Sequence, residues 1–206
     1  TATCGAHDFY DSWLHVTDGT QSVINLNDCQ IAAPADLARV AKLFGPPTLL
    51  LSQFSYAAWK GGADDRIFRE EAAKKKRDTL TVQTQILKPH YALPFASFIY
   101  FSNVENTYLN DAMNTPRTAA ATLAAAGTSA VVLYPGDEWE IGTPHDNEPA
   151  LARYDQRLAE LPRLPLRVPG ETVGLAQLQE AFSGYRARMI GQNSRLLIAL
   201  VRKLRG

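Results

Sequence analysis

Thr48-Leu49-Leu50-Leu51-Ser52 is a short, unbroken apolar run, preceded by Gly45-Pro46-Pro47 and followed by a polar, glycine-containing loop over residues 55–62. A run of that length and continuity is what a buried strand has. Upstream, Pro34 opens a helix in which Leu37, Val40, Ala41 and Phe44 recur at helical spacing. Before it, Ser12-Trp13-Leu14-His15-Val16 alternates polar and apolar residues, Thr17-Asp18-Gly19-Thr20 has turn chemistry, and Ser22-Val23-Ile24-Asn25-Leu26 completes a hairpin. Downstream, residues 64–87 read as a long helix with Ile67, Phe68, Ala72 and Leu80 as its apolar face. Residues 93–100 read as a strand and 103–114 as a loop. Thr115-Pro116 starts an Ala-rich helix over 118–126 that stops at Gly127, and 130–134 is a last buried strand ended by Pro135-Gly136-Asp137. Strands alternating with helices predict a layered α/β domain whose sheet carries helices on one face. From residue 148 the chain reads as a helical extension in two pieces, parted by the proline-rich stretch 161–170, which has the composition of a domain boundary. The expected organisation is 1–147 and 148–206.

Lys plus Arg number 21 and Asp plus Glu number 21 among 206 residues, a formal charge of zero, with 46% hydrophobic and 20% charged residues. That is globular composition, at a length that buries a proper core. Neutrality lacks the electrostatic footprint of a protein that lives on nucleic acid or an anionic membrane, so neither partner is expected. The basic run Lys74-Lys75-Lys76-Arg77 follows Glu70 and Glu71 in the long helix and reads as a solvated face. Cys4 and Cys29 are the only cysteines, and no CxxC or secretory h-region is present. The expected compartment is therefore the reducing cytoplasm. No apolar stretch approaches the ~20 residues that span a bilayer.

The densest group of potential ligands is Gly5-Ala6-His7-Asp8-Phe9-Tyr10-Asp11-Ser12 together with Asn25-Leu26-Asn27-Asp28-Cys29. His7 falls in a predicted loop before one strand of the hairpin, and Asp28 at the exit of the other, so the hairpin can turn both toward one point. Imidazole nitrogen with carboxylate oxygen suits Zn²⁺ or non-haem iron. The same residues read equally as a surface histidine and a turn-capping aspartate. Gly61-Gly62, after Trp59-Lys60, has the makings of an anion-binding loop through exposed backbone N–H groups, or of a plain turn. Asn103, Asn106, Asn110, Asp111 and Asn114 with Tyr108 make a polar cluster able to line a substrate pocket, though local Asx turns account for such clusters too.

His7 through Asp28 resembles the second half of the metallo-β-lactamase-fold pattern, in which a histidine precedes a strand pair and an aspartate at the second strand's end bridges the metals. The branch that it resembles contains CMP-N-acetylneuraminate hydroxylases and ascorbate-6-phosphate lactonases. The resemblance rests on Asp11-Ser12 with Asn25-Leu26-Asn27-Asp28-Cys29, on Gln53-Phe54-Ser55-Tyr56-Ala57, and on Lys88-Pro89 with Pro94-Phe95-Ala96-Ser97-Phe98. It covers residues 5–137 and implies an αββα sandwich, present mainly as its C-terminal half. It also implies that Asp28 is the bridging and catalytic aspartate and that His7 matches the third histidine position. The last ligand histidine is expected near Pro94, where Phe95 and Ser97 stand instead, leaving His90 as the substitute. The HxHxDH element is absent, and the chain begins after the place where it would lie. The missing N-terminal half or a second copy of the chain is thus an expected partner.

The function implied is metal-dependent hydrolysis of a small polar or anionic substrate, with His7, Asp28 and His90 on zinc, and Gly61, Gly62, Asn106 and Asn110 on the substrate. Bound Zn²⁺ lowers the pKa of water to ~7 and so supplies hydroxide. An iron-dependent oxygenase component is the alternative. A non-catalytic binding or assembly domain stands beside both: the absent last histidine favours it, and the retained Asn25 to Cys29 stretch opposes it.

Overall fold

In a computed structural model of the chain, residues 2–7, 11–27, 29, 31–168, 170 and 172–205 are described. They divide into two compact units, Thr1–Arg167 and Val168–Gly206. The division falls inside the proline-rich stretch rather than at 147/148. The helix that follows residue 147 lies in the first unit.

The first unit is built on one six-stranded sheet in sequence order, β1 (Ala2–His7), β2 (Asp11–Thr17), β3 (Ser22–Asn27), β4 (Leu49–Ser52), β5 (Tyr91–Pro94) and β6 (Ser129–Ala130). The first three strands pair antiparallel, and β3 to β6 pair parallel. Helices α1 (Pro34–Phe44), α2 (Arg66–Leu87) and α3 (Pro116–Ala125) lie in the three parallel crossovers. Right-handed crossovers that advance in one direction put all their helices on one face of the sheet. The core bears this out, joining Trp13, Ile24, Leu26, Leu50 and Ala92 to Leu37 and Val40 of α1, Leu80 and Leu87 of α2, and Ala119 and Leu123 of α3. On the other face, Leu14, Val23 and Leu51 are only half-buried, and Trp139 packs edge-on against Tyr91. One sheet and one helical layer, rather than two facing sheets, are what the described residues form.

The hairpin is present as read, held by an Asx turn in which Asp18 accepts from the backbone N–H groups of Thr20 and Gln21 at 2.8 Å each. Three expectations change. His7 ends a strand instead of lying in a loop. The strand expected over 93–100 stops at Pro94, because Ala96 takes a left-handed φ of 57° and the Ser97 hydroxyl bonds Phe54 N–H and Ser55 C=O. The strand expected over 130–134 pairs only to Ala130. Val131 N–H still reaches Ala92 C=O, but Val132 N–H turns to the Asn147 side chain, which also donates to Ala130 C=O.

The long helix is in place and buries Leu80 as expected, but the rest of its buried face differs. It buries Arg69, Ala73, Leu80, Gln83, Thr84 and Leu87, while Ile67 and Phe68 are exposed. Gln83 earns its place inside by accepting from Ser52 Oγ and donating to Ile31 C=O at 2.9 Å. Helix α4 (Glu148–Glu160) packs Ala150 and Leu151 against Val132. The second unit holds α5 (Leu175–Gln192) and α6 (Arg195–Arg205).

Candidate functional site

The carboxyl ends of β4 and β5 open into a cleft of about 550 Å³. That edge of a parallel sheet is where side chains converge without being part of the strands, and where ligands of α/β folds bind. An aromatic ladder forms one wall: Phe54 meets Phe98 edge-on at 5.1 Å, and Phe98 stacks on Tyr154 at 4.9 Å. Met113, Leu158 and Leu161 continue the apolar lining. Tyr154 and Leu158 come from α4, so the site depends on the helix that was read as an extension. Burial pushes the Tyr154 hydroxyl up to about 12, and neighbouring Tyr134 adds to it.

Behind the cleft lies a hydrogen-bonded knot. The Arg69 side chain is wholly buried and makes a two-pronged contact with Asp111, Nε to Oδ1 and Nη2 to Oδ2, each 2.7 Å. Two further N–H groups donate to Gly62 C=O at 2.5 Å and Ala63 C=O at 3.0 Å, and it lies 5.1 Å from the Tyr108 ring centre. Fork-on-fork geometry of this kind is the strong form of the ion pair. The Arg69 hydrogen bonds hold the Asp111 carboxyl below the usual carboxylate range. Tyr108 donates to Gly61 C=O and Tyr56 to Leu109 C=O, which fastens the 3-10 helix Thr107–Ala112 to the loop after β4. Burial, with Asp111 second, pushes the Tyr56 hydroxyl up to about 12. Asn114 donates to Phe54 C=O and Ala73 C=O at 2.8 Å each and accepts from Arg77.

Against this geometry the sequence-derived site residues separate. Residues 53–62 and 103–114 meet at one edge, through Arg69, Tyr108 and Tyr56. Gly61 and Gly62, however, form no anion cradle. Gly62 N–H already bonds Asp65 Oδ2 at 2.7 Å, and Gly61, at φ 79°, has no room for a Cβ, which would meet Asp65 Cβ at 2.6 Å. Asn106 is a turn residue whose Oδ1 accepts from Asn103 N–H, and it does not line the cleft. Asn110 does line it, but its amide is taken up by Phe101 N–H, Phe101 C=O and Thr107 C=O.

His90 precedes Tyr91 at the amino end of β5 and is exposed. About 13 Å of strand, four residues at roughly 3.3 Å each, separates it from the carboxyl edge, so it is no partner for ligands there. His7 pairs with Asp11 at the end where β2 starts and β3 finishes, which is the carboxyl edge. Its side chain, like Asp28 as a whole, lies outside the described residues. Among the described residues no group of three or more His, Cys, Asp or Glu is placed to hold a metal ion. With His90 removed, the expected set falls to His7 and Asp28. Catalytic zinc takes three protein ligands, as does the non-haem iron triad. These donors do not complete a metal site.

Sequence reading missed Arg69, Phe98, Tyr154 and Leu158. An arginine between Phe68 and Glu70 carries no mark of burial. The one available signal was the acidic residue in the Asn-rich stretch, Asp111, and nothing in the sequence couples positions 42 apart.

No protein-family model matches the chain, and no curated protein matches it. Among solved structures, the CmlA beta-hydroxylase E377D mutant is similar at 16% identity and a TM-score of 0.37, over 65% of this chain and 30% of that one. The chain thus spans less than a third of that protein, and a score so low carries no argument about fold or site.

Proposed function

We propose that the first unit binds a small organic molecule in the cleft at the carboxyl ends of β4 and β5. The observation that carries this is the cleft itself: an aromatic and aliphatic wall anchored by a hydrogen-bonded polar knot around the buried Arg69. Sites of 300 to 1,000 Å³ with that lining take drug-sized molecules and orient them with a few polar groups. The side chains of Ser97, Asn110 and Asn114 are bonded within the fold. Orientation then falls to other lining groups, Tyr100, Thr107 and Arg157 among them. Arg157, whose exposed pair with Glu160 at 3.3 Å is one a ligand can displace, favours an anionic group on a ligand whose body is aromatic or aliphatic, an apolar shift from the small polar substrate expected of the sequence.

A panel of aromatic and aliphatic carboxylates screened by saturation-transfer NMR against the whole chain tests this. Binders are expected to raise the melting temperature and to lose affinity at least tenfold in Leu158→Trp, which fills the cleft, and in Arg157→Gln. The reading falls if no carboxylate binds, or if the hits bind Leu158→Trp as well as the parent.

A second reading, metal-dependent hydrolysis or iron-dependent oxygenation within a metallo-β-lactamase-like αββα fold, is favoured by one observation. The strand register brings His7, Asp11 and the end of β3 to the same edge as the cleft. On this reading Asp28 and His7 are ligands, and further donors come from a partner, another part of a longer protein or a second copy. Elemental analysis of the chain and of Asp28→Asn decides it: metal retained by the first and lost by the second supports it, and a metal-free parent that binds no added Zn²⁺ or Fe²⁺ removes it.

A further inference from the structure

We infer that the second unit, through α5 and α6, is an interfacial anchor that lies flat on an anionic lipid surface. The overall neutrality of the chain hides a division of charge. Residues 168–206 hold six basic and two acidic residues, while 1–167 hold fifteen and nineteen. In α6 the charged residues are Arg195, Arg202, Lys203 and Arg205, all basic. At 100° per residue, positions 196, 197, 200, 201 and 204 fall within one arc of the helix, and the basic positions fall on the other side. That arc is Leu196, Leu197, Leu200, Val201 and Leu204, all exposed, with Leu196 at 84% and Leu204 at 77%.

Helix α5 carries a weaker form of the arrangement. Leu175, Leu178, Phe182, Tyr185 and Met189, spaced three and four apart, make one stripe, and all are exposed, Phe182 at 64%. Its charged residues are Glu180, Arg186 and Arg188. Apolar helix faces flanked by cationic residues are the pattern of helices that sink one side into the boundary between headgroups and acyl chains. No described helix is long and apolar enough to cross a membrane. The acidic balance of residues 1–167 opposes the same lipid and leaves contact to the second unit. A second copy of the chain is the poorer occupant, since the α5 stripe runs under three heptads and the helix that carries it contains Gly184 and Gly191.

Co-sedimentation of the whole chain with vesicles of phosphatidylcholine, with and without phosphatidylserine, tests the inference. Binding is expected only with phosphatidylserine and is expected to weaken as salt is raised. Arg202→Gln and Lys203→Gln should each weaken it about fivefold, and the pair Leu200→Asp, Leu204→Asp should abolish it. Melting of the first unit serves as the control and is expected to stay unchanged, because both leucines are exposed. The inference is overturned if phosphatidylserine vesicles leave the chain in the supernatant, or if the two Asp substitutions leave binding intact. It is also overturned if sedimentation velocity shows a dimer that those substitutions dissociate while lipid binding is absent.

Discussion

Two arginine clusters in the first unit use the same chemistry in opposite surroundings. Arg69 is wholly buried beneath the cleft and bonds Asp111 with both prongs of its guanidinium, two further N–H groups going to backbone carbonyls. Arg117 reaches Glu148 and Asp155 at 2.8 and 2.6 Å, but its side chain is 45% exposed. Distances alone rank the two as equals. Burial separates them, because a guanidinium without its partner in the interior has no water to turn to, whereas one at the surface is rehydrated. The difference teaches that the cleft owes its shape to the first cluster, while the second only decorates the seam between α3 and α4.

The largest expected effect comes from Arg69→Met. It strips Asp111 of its partner and leaves Gly62 and Ala63 carbonyls unbonded, so the melting temperature should drop by about 10 °C, and cleft ligands should be lost with it. A drop no larger than that of a surface substitution would collapse the distinction between the clusters.

Acid titration is expected to show a smaller effect of determinate sign. The folded-state pKa of Asp111 is depressed by Arg69. Its contribution to stability is therefore present above the unfolded value, near 4, and is lost as pH falls through the folded value. The stability gap between the parent and Asp111→Asn should narrow as pH is lowered beneath about 4. A gap that is flat with pH would mean that Asp111 is not ionised against Arg69.

The smallest effect belongs to Arg117→Gln. An exposed network of this kind contributes little, and the shift is expected within about 2 °C and to vanish at high salt. A loss that rivals Arg69→Met would show that the α3–α4 seam, and not the buried knot, sets the stability of the site.

Periodicity made the α/β class and the hairpin legible, because alternation and helical spacing report which face of each element meets the core. The breaks in that reading have local causes. Two strands came out shorter than their apolar runs, since Ala96 and Asn147 divert the backbone through a left-handed φ and a side-chain mimic of the next strand. Of the apolar face that spacing gives α2, Leu80 is buried while Ile67 and Phe68 are exposed, and Arg69 is inside although an arginine is ordinarily solvated. Only its pairing with Asp111 reverses that expectation.

The neutral count of charged residues likewise said nothing of their distribution, and residues 168–206 acquire their meaning from the helices that array them. By itself the sequence determined the order of strands and helices from β2 to α3, since those follow from side-chain period and from proline and glycine punctuation, while β1 went unread. What only the tertiary structure decided is which residues meet. The cleft is assembled from Phe54, Phe98, Asp111 and Tyr154, drawn from four separate segments. Their convergence follows from parallel strands that all end at one edge, and a long-range juxtaposition of that kind leaves no period in the chain.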